Sequence, residues 1–151
     1  CTNTMHREAD AIEAAVRIPL LHIADPTGEA ITAAGLTTVG LLGTAFTMEH
    51  DFYRGRLEAR HGLTVLTPDA DDRAAVHRII YEELVAGRVL DVSREAYRAV
   101  IARLVERGAQ AIILGCTEIM LLVGQEDSPV PVFDTTTLHA MAAVERALSP
   151  L

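Results

Sequence analysis

Four short runs, TTVGLLG (37–43), LTVL (63–66), AIIL (111–114) and PVPVF (129–133), are apolar almost throughout, and longer stretches of helical periodicity separate them. A strand with one wet face alternates polar and apolar residues, whereas a continuously apolar strand needs cover on both faces. Buried strands spaced by helices are the signature of a mostly parallel sheet flanked by helices, so the chain reads as an α/β protein. The helical faces can be named. Met5, Ala9, Ile12 and Val16 share one face before Pro19 ends the pattern. Thr47 is expected to cap a helix carrying Met48, Phe52 and Leu57, with Gly62 as its stop. Asp69 opens a helix that turns Val76, Ile79, Ile80 and Leu84 inward before Gly87. Ser93 is expected to cap the clearest amphipathic stretch, whose stripe is Tyr97, Val100, Ile101, Leu104 and Val105, ended by Gly108. A last helix begins at Asp134 and is expected to point Met141, Val144 and Leu148 inward.

Charge removes several function classes. The 13 basic residues stand against 21 acidic ones, for a net charge of −8, with no basic run. That disfavours nucleic-acid backbones and anionic membranes as partners. No run approaches the ~20 apolar residues of a membrane helix. All 13 basic residues are arginine, so this chain offers no lysine for a pyridoxal phosphate Schiff base. Two cysteines, Cys1 and Cys116, are too few for a disulfide framework and point to reduced thiols in a cytosolic protein. The six histidines have no metal-site grouping, and surface or helix-face positions are expected for them. The acidic stretch Asp69–Asp72 reads as a solvated helix start, favourably placed in the helix dipole.

The two cysteines sit in a weak internal repeat. Cys116-Thr117-Glu118 follows the buried strand AIILG, and Cys1-Thr2-Asn3-Thr4 has the same Cys-Thr-polar form with a helix after it. In open α/β sheets, ligands bind beyond the carboxyl ends of strands. Cys116 occupies such a place, and by analogy a strand is expected just ahead of Cys1. Other readings compete. A cysteine after an apolar strand is commonly a core residue. Cys1 could instead be a lipidated first residue or the nucleophile of an N-terminal hydrolase, although the immediate helix pattern and the strand–helix alternation argue against each. GLLGT lacks the G-x-G-x-x-G of a dinucleotide loop and reads as a tight strand-to-helix turn. The threonines 135–137 are a helix cap beside Asp134 or a pocket lining.

CTNTMH, LLHIAD, GLLGTAFTMEHDFYRGRL, GAQAIILGCTEI and PVFDTTTLHA, taken in order, resemble the aspartate/glutamate racemase family of cofactor-independent amino-acid racemases. The resemblance implies two similar α/β lobes with mostly parallel sheets and a cleft between them, the first lobe incomplete in this chain. On that reading residues 1–36 are the later part of the first lobe, 37–130 the second lobe, and 131–151 a strand and helix returning to the first. It implies Cys1 and Cys116 as the catalytic pair, one from each lobe, and Asn3, Thr4, Thr44 and Thr117 around a small amino-acid substrate. Glu118 stands where glutamate racemases usually show histidine, which places the sequence nearer the aspartate-racemase branch and its broader relatives. No cofactor or metal is implied, and a cytoplasmic homodimer is expected. Hydantoin racemase, arylmalonate decarboxylase and maleate isomerase activities, or a binding protein that keeps the fold without turnover, are the alternatives. The 151-residue chain is expected to need a preceding segment to work as an enzyme.

The chemistry fits two thiols. Racemisation removes the α-proton from one face and returns a proton to the other, so it needs one ionised and one protonated group on opposite sides of the carbon. Helix N-termini and nearby donors can lower a thiol from its ordinary pKa of about 8.5. Backbone N–H groups and hydroxyls stabilise the enediolate-like charge. Glu118 or His139 is expected to orient a thiol or relay a proton. Arg54, Arg56 and Arg88 are candidates for holding a substrate side-chain carboxylate.

Overall fold

The computed structural model describes residues 1–149. Four parallel strands, β1 (Thr38–Gly43), β2 (Thr64–Leu66), β3 (Ala111–Gly115) and β4 (Val132–Asp134), lie in the order β2-β1-β3-β4. The α/β reading, with a parallel sheet between helices, holds. Side chains of β1 and β3 alternate between two separate cores, as the two-residue strand period requires. Val39, Leu41, Ala111 and Ile113 face a core shared with α2 (Ala24–Ala33) and α4 (Asp51–His61), filled by Ile31, Tyr53 and Leu57. Leu42, Ile112 and Leu114 face the other core, against α5 (Ala70–Glu82) and α6 (Asp91–Glu106). There Ile79, Ile80, Tyr97, Ile101 and Leu104 are all buried, each large apolar side chain contributing about 1.5–3 kcal/mol. A Cβ at Gly40 would stand 3.0 Å from Leu104 Cδ1 and 2.8 Å from Ile112 Cδ1, so α6 rests directly on the centre of β1.

Several expected caps are present. Asp69 accepts from the Asp72 N–H at 3.0 Å, and Asp134 accepts from the N–H groups of Thr136 and Thr137. Gly62 ends α4 in the left-handed region (φ 65°), where a side chain would be strained. Others are corrected. Thr44, not Thr47, caps the short α3 (Ala45–Glu49), and the chain turns extended at His50 before α4, so Met48 and Leu57 lie on different helices. Ser93 lies inside α6, where its hydroxyl donates to the buried Glu83 carboxylate at 2.5 Å instead of capping. Asp72 is not merely solvated: it takes a bidentate ion pair from Arg103 of α6 at 2.6 and 2.7 Å.

The largest departure is in α7 (Thr135–Leu148), which packs on α2. Met141, Val144 and Leu148 are 52%, 49% and 80% exposed, not inward. In the first stretch, a 3-10 turn (Thr4–Glu8) followed by α1 (Ala9–Ala15), only Ala9 of the expected face is buried. An amphipathic period identifies an apolar face but not what covers it. Among the described residues no helix is long and apolar enough to cross a membrane.

Candidate functional site

The strand order places the site. β1 connects through α4 to β2 on one side, and α5 and α6 then lead to β3 on the other, so the connections diverge at the β1–β3 pair. A crevice opens beyond the carboxyl ends of two such strands. Gly43 and Gly115 are register partners at that end, which brings Thr44 and Cys116 side by side although 72 residues separate them in sequence. The approach is tight. A Cβ on Gly115 would stand 2.9 Å from the Leu42 carbonyl oxygen, and one on Gly43 would stand 3.0 Å from the Gly115 carbonyl oxygen.

An open cleft of about 320 Å³ lies here, lined by Asn3, Thr4, Thr44, Cys116, Thr117 and Glu118 among others. All four residues expected to bind substrate thus share one cavity with Cys116. Thr4 is tied to the end of β1 by a 3.3 Å hydroxyl pair with Thr44. Asn3 is buried and donates from Nδ2 to Thr135 Oγ1 at 3.0 Å, and Thr135 in turn donates to the Leu114 carbonyl of β3 at 2.9 Å. The Asn3 Oδ1 atom is buried without a partner, an acceptor available to a ligand donor. Sequence reasoning left Thr135 undecided between cap and lining; it is a buried relay between the Cys1 loop and β3. Cys1 itself is exposed, its sulfur 3.8 Å from the Thr136 carbonyl oxygen, with the next residue, Thr2, on the cleft wall.

Cys116 is buried and donates its S–H to Glu118 Oε2 at 2.9 Å, while the Thr117 hydroxyl donates to the same oxygen at 2.7 Å. Burial, and then the carboxylate acting as acceptor, pushes the Cys116 thiol up to about 12. The expectation of a lowered thiol pKa is therefore corrected for this cysteine, because no helix of the α type starts here and the nearest acidic group favours the protonated form. Burial alone would raise the Glu118 carboxyl, but the bonds from Cys116 and Thr117 outweigh it and hold that group below its ordinary value.

Glu118 and His139, the two residues expected to orient a thiol, separate. Glu118 touches Cys116, whereas His139 meets the Leu21 carbonyl at 2.8 Å through Nε2 and does not line the cleft. The candidate arginines are all engaged elsewhere. Arg56 makes a bidentate pair with Asp25 at 2.7 Å, Arg54 pairs with Asp51, and Arg88 donates to the Glu82 carbonyl. None of them lines the cleft, and the unexpected wall is apolar: Met5, Ile80, Tyr81 and Val85. Tyr81 carries no sequence signal, since it flanks the buried stripe of α5. Among the described residues, no group of three His, Cys, Asp or Glu could hold a metal ion.

The sequence model of the Asp/Glu/Hydantoin racemase family matches residues 1–143. The chain belongs to that family. A candidate Asp/Glu racemase from Yersinia pestis is 59% identical over 99% of this chain, with a TM-score of 0.94. An aspartate racemase homologue from Pyrococcus horikoshii is 36% identical over 98% of it, with a TM-score of 0.87. An uncharacterised protein from the pnlA 3′ region of Pectobacterium carotovorum subsp. carotovorum is 35% identical over 125 residues, 80% of this chain and 79% of its own length. The chain spans 65% of the length of each of the two solved structures.

Proposed function

We propose that the protein racemises a small amino acid, aspartate, glutamate or a related polar one, without pyridoxal phosphate, using Cys1 and Cys116 on opposite faces of the α-carbon. The single observation that carries the reading is the Cys116–Glu118 pair, a buried thiol held protonated in the cleft that Asn3, Thr4 and Thr44 share. In one direction Cys1, as thiolate, takes the α-proton, and the electron pair moves into the substrate carboxylate. Cys116 then delivers its S–H proton to the opposite face of the carbon and is left as thiolate. Cys1 ends as thiol, so atoms and charge balance, and the reverse direction exchanges the two roles. A Cys116 thiolate with so high a proton affinity is a strong base once formed, and Glu118, the acceptor of the S–H, stabilises the thiol that forms when the proton returns. Of the Thr4–Thr44 pair, the hydroxyl not spent on the other donates to the enediolate-like carboxylate, Thr117 lines the cleft with its own hydroxyl committed to Glu118, and Asn3 Oδ1 accepts from the substrate ammonium.

The test is α-proton exchange in D2O, followed by NMR from single enantiomers of acidic and neutral polar amino acids, with 5-substituted hydantoins as a further arm. Racemisation with deuterium incorporation is the expected result; Cys1→Ser and Cys116→Ser should each abolish racemisation and leave α-proton exchange from at most one enantiomer. No exchange from any amino acid, or full activity in either variant, refutes the proposal. Exchange confined to hydantoins likewise refutes the amino-acid substrate, while leaving the two-thiol chemistry in place.

A further inference from the structure

Three histidines far apart in sequence meet behind the Cys1–Thr4 loop. The His6 ring centroid lies 4.5 Å from that of His22 and 5.6 Å from that of His139. His6 stands between two backbone segments. Its Nδ1 is 2.6 Å from the Thr2 carbonyl oxygen, and its Nε2 is 3.2 Å from the Ile23 amide nitrogen. A carbonyl oxygen only accepts and an amide N–H only donates. Nδ1 therefore carries the proton and Nε2 is bare: both bonds form together in one neutral tautomer alone. The far side of the clamp is itself fixed, since His22 Nδ1 accepts from the Ala24 N–H at 3.1 Å and His139 Nε2 engages the Leu21 carbonyl at 2.8 Å.

We infer that His6 is a positioning residue for the first thiol, tying the loop that carries Cys1, Asn3 and Thr4 to the fixed segment Leu21–Ala24. Thr2, its carbonyl partner, is the residue between Cys1 and Asn3, so a rotation there moves the sulfur and the Asn3 amide together. Of the other attachments of the loop, Asn3 to Thr135 and Thr4 to Thr44 lie on the side chains after Thr2, and before it the Cys1 sulfur makes only a 3.8 Å approach to the Thr136 carbonyl oxygen. His6 is thus the clamp on the backbone of Thr2 itself. Burial lowers the His6 pKa, partly offset by the bond to Thr2, which agrees with the neutral tautomer. Cys116 has no such dependence, because it is anchored by β3 and Glu118.

The inference rests on the two-thiol reading and makes a one-sided prediction. Misplacing a reacting group by about an ångström costs roughly a hundredfold, so His6→Ala should lower α-proton exchange about tenfold or more from the one enantiomer that Cys1→Ser also disables. Exchange from the other enantiomer, served by Cys116, should fall much less. His6→Asn, whose amide can still donate to Thr2, should recover part of the lost rate and serves if the alanine variant folds poorly. Equal losses for both enantiomers in His6→Ala and His6→Asn, or no loss in either, overturn the positioning role while Cys1→Ser still acts one-sidedly. If Cys1→Ser is itself without effect, the two-thiol reading falls and this inference with it.

Discussion

Replacing Thr135 by valine keeps the shape of the side chain and removes only its hydroxyl. In the folded protein that hydroxyl has two partners, both out of water: it accepts from Asn3 Nδ2 at 3.0 Å and donates to the Leu114 carbonyl at 2.9 Å. Thr135 is fully buried and Asn3 nearly so, at 0% and 4% exposure. Valine would leave an amide N–H and a carbonyl oxygen facing a methyl group. Each stranded buried polar group costs about 1–3 kcal/mol, and the added apolar surface returns up to about 0.8 kcal/mol. The net loss is therefore about 1–5 kcal/mol. For a chain of this size each kcal/mol moves the melting temperature by about 2–4 °C, so a fall of roughly 10 °C is expected. Thr135→Ser, which keeps the hydroxyl and loses a methyl, should fall much less. The assay is urea unfolding followed by circular dichroism, with the midpoint and slope compared across wild type, Thr135→Val and Thr135→Ser. A valine variant within about 0.5 kcal/mol of wild type, or one more stable than the serine variant, would refute the relay.

Gly115→Ala should destabilise the protein by about 1–3 kcal/mol, because its Cβ meets the Leu42 carbonyl oxygen at 2.9 Å and backbone cannot swing aside; thermal melts check this. Glu118→Gln should bring the Cys116 thiol down from about 12, since the second cause of the shift is lost while burial remains; the pH dependence of thiol alkylation measures it. His22 is held neutral, its pKa pushed down to about 3 by burial first and by Arg56 next. The unfolded chain binds a proton below about 6.5 that the folded chain refuses, so the contribution of His22 to stability is complete above pH 6.5 and lost as pH falls toward 3. About 1–2 kcal/mol should disappear between pH 7 and pH 5, and a His22→Asn variant should show a flatter pH dependence of its urea midpoint; an unchanged slope counts against the assignment.

The sequence by itself carried the fold class, because continuously apolar strands and one-sided helices are local patterns set by burial on two faces or one. It also carried the ends of elements whose chemistry is local: Asp69 and Asp134 cap with their own side chains, and Gly62 adopts a conformation that other residues resist. The cysteines and the threonines near them were legible as types of residue at strand ends. What they touch was not. Thr44 reaches Cys116 through the β1–β3 register, Asn3 reaches β3 through Thr135, and His6, His22 and His139 meet across three segments. Ser93 illustrates the limit most clearly: its sequence neighbours make it a cap, but Glu83, ten residues away, offers a buried carboxylate. The same limit sets the reactivity of Cys116. A local reading counts nearby donors and lowers its pKa, whereas burial and the orientation of Glu118 raise it, and both of those belong to the packed chain.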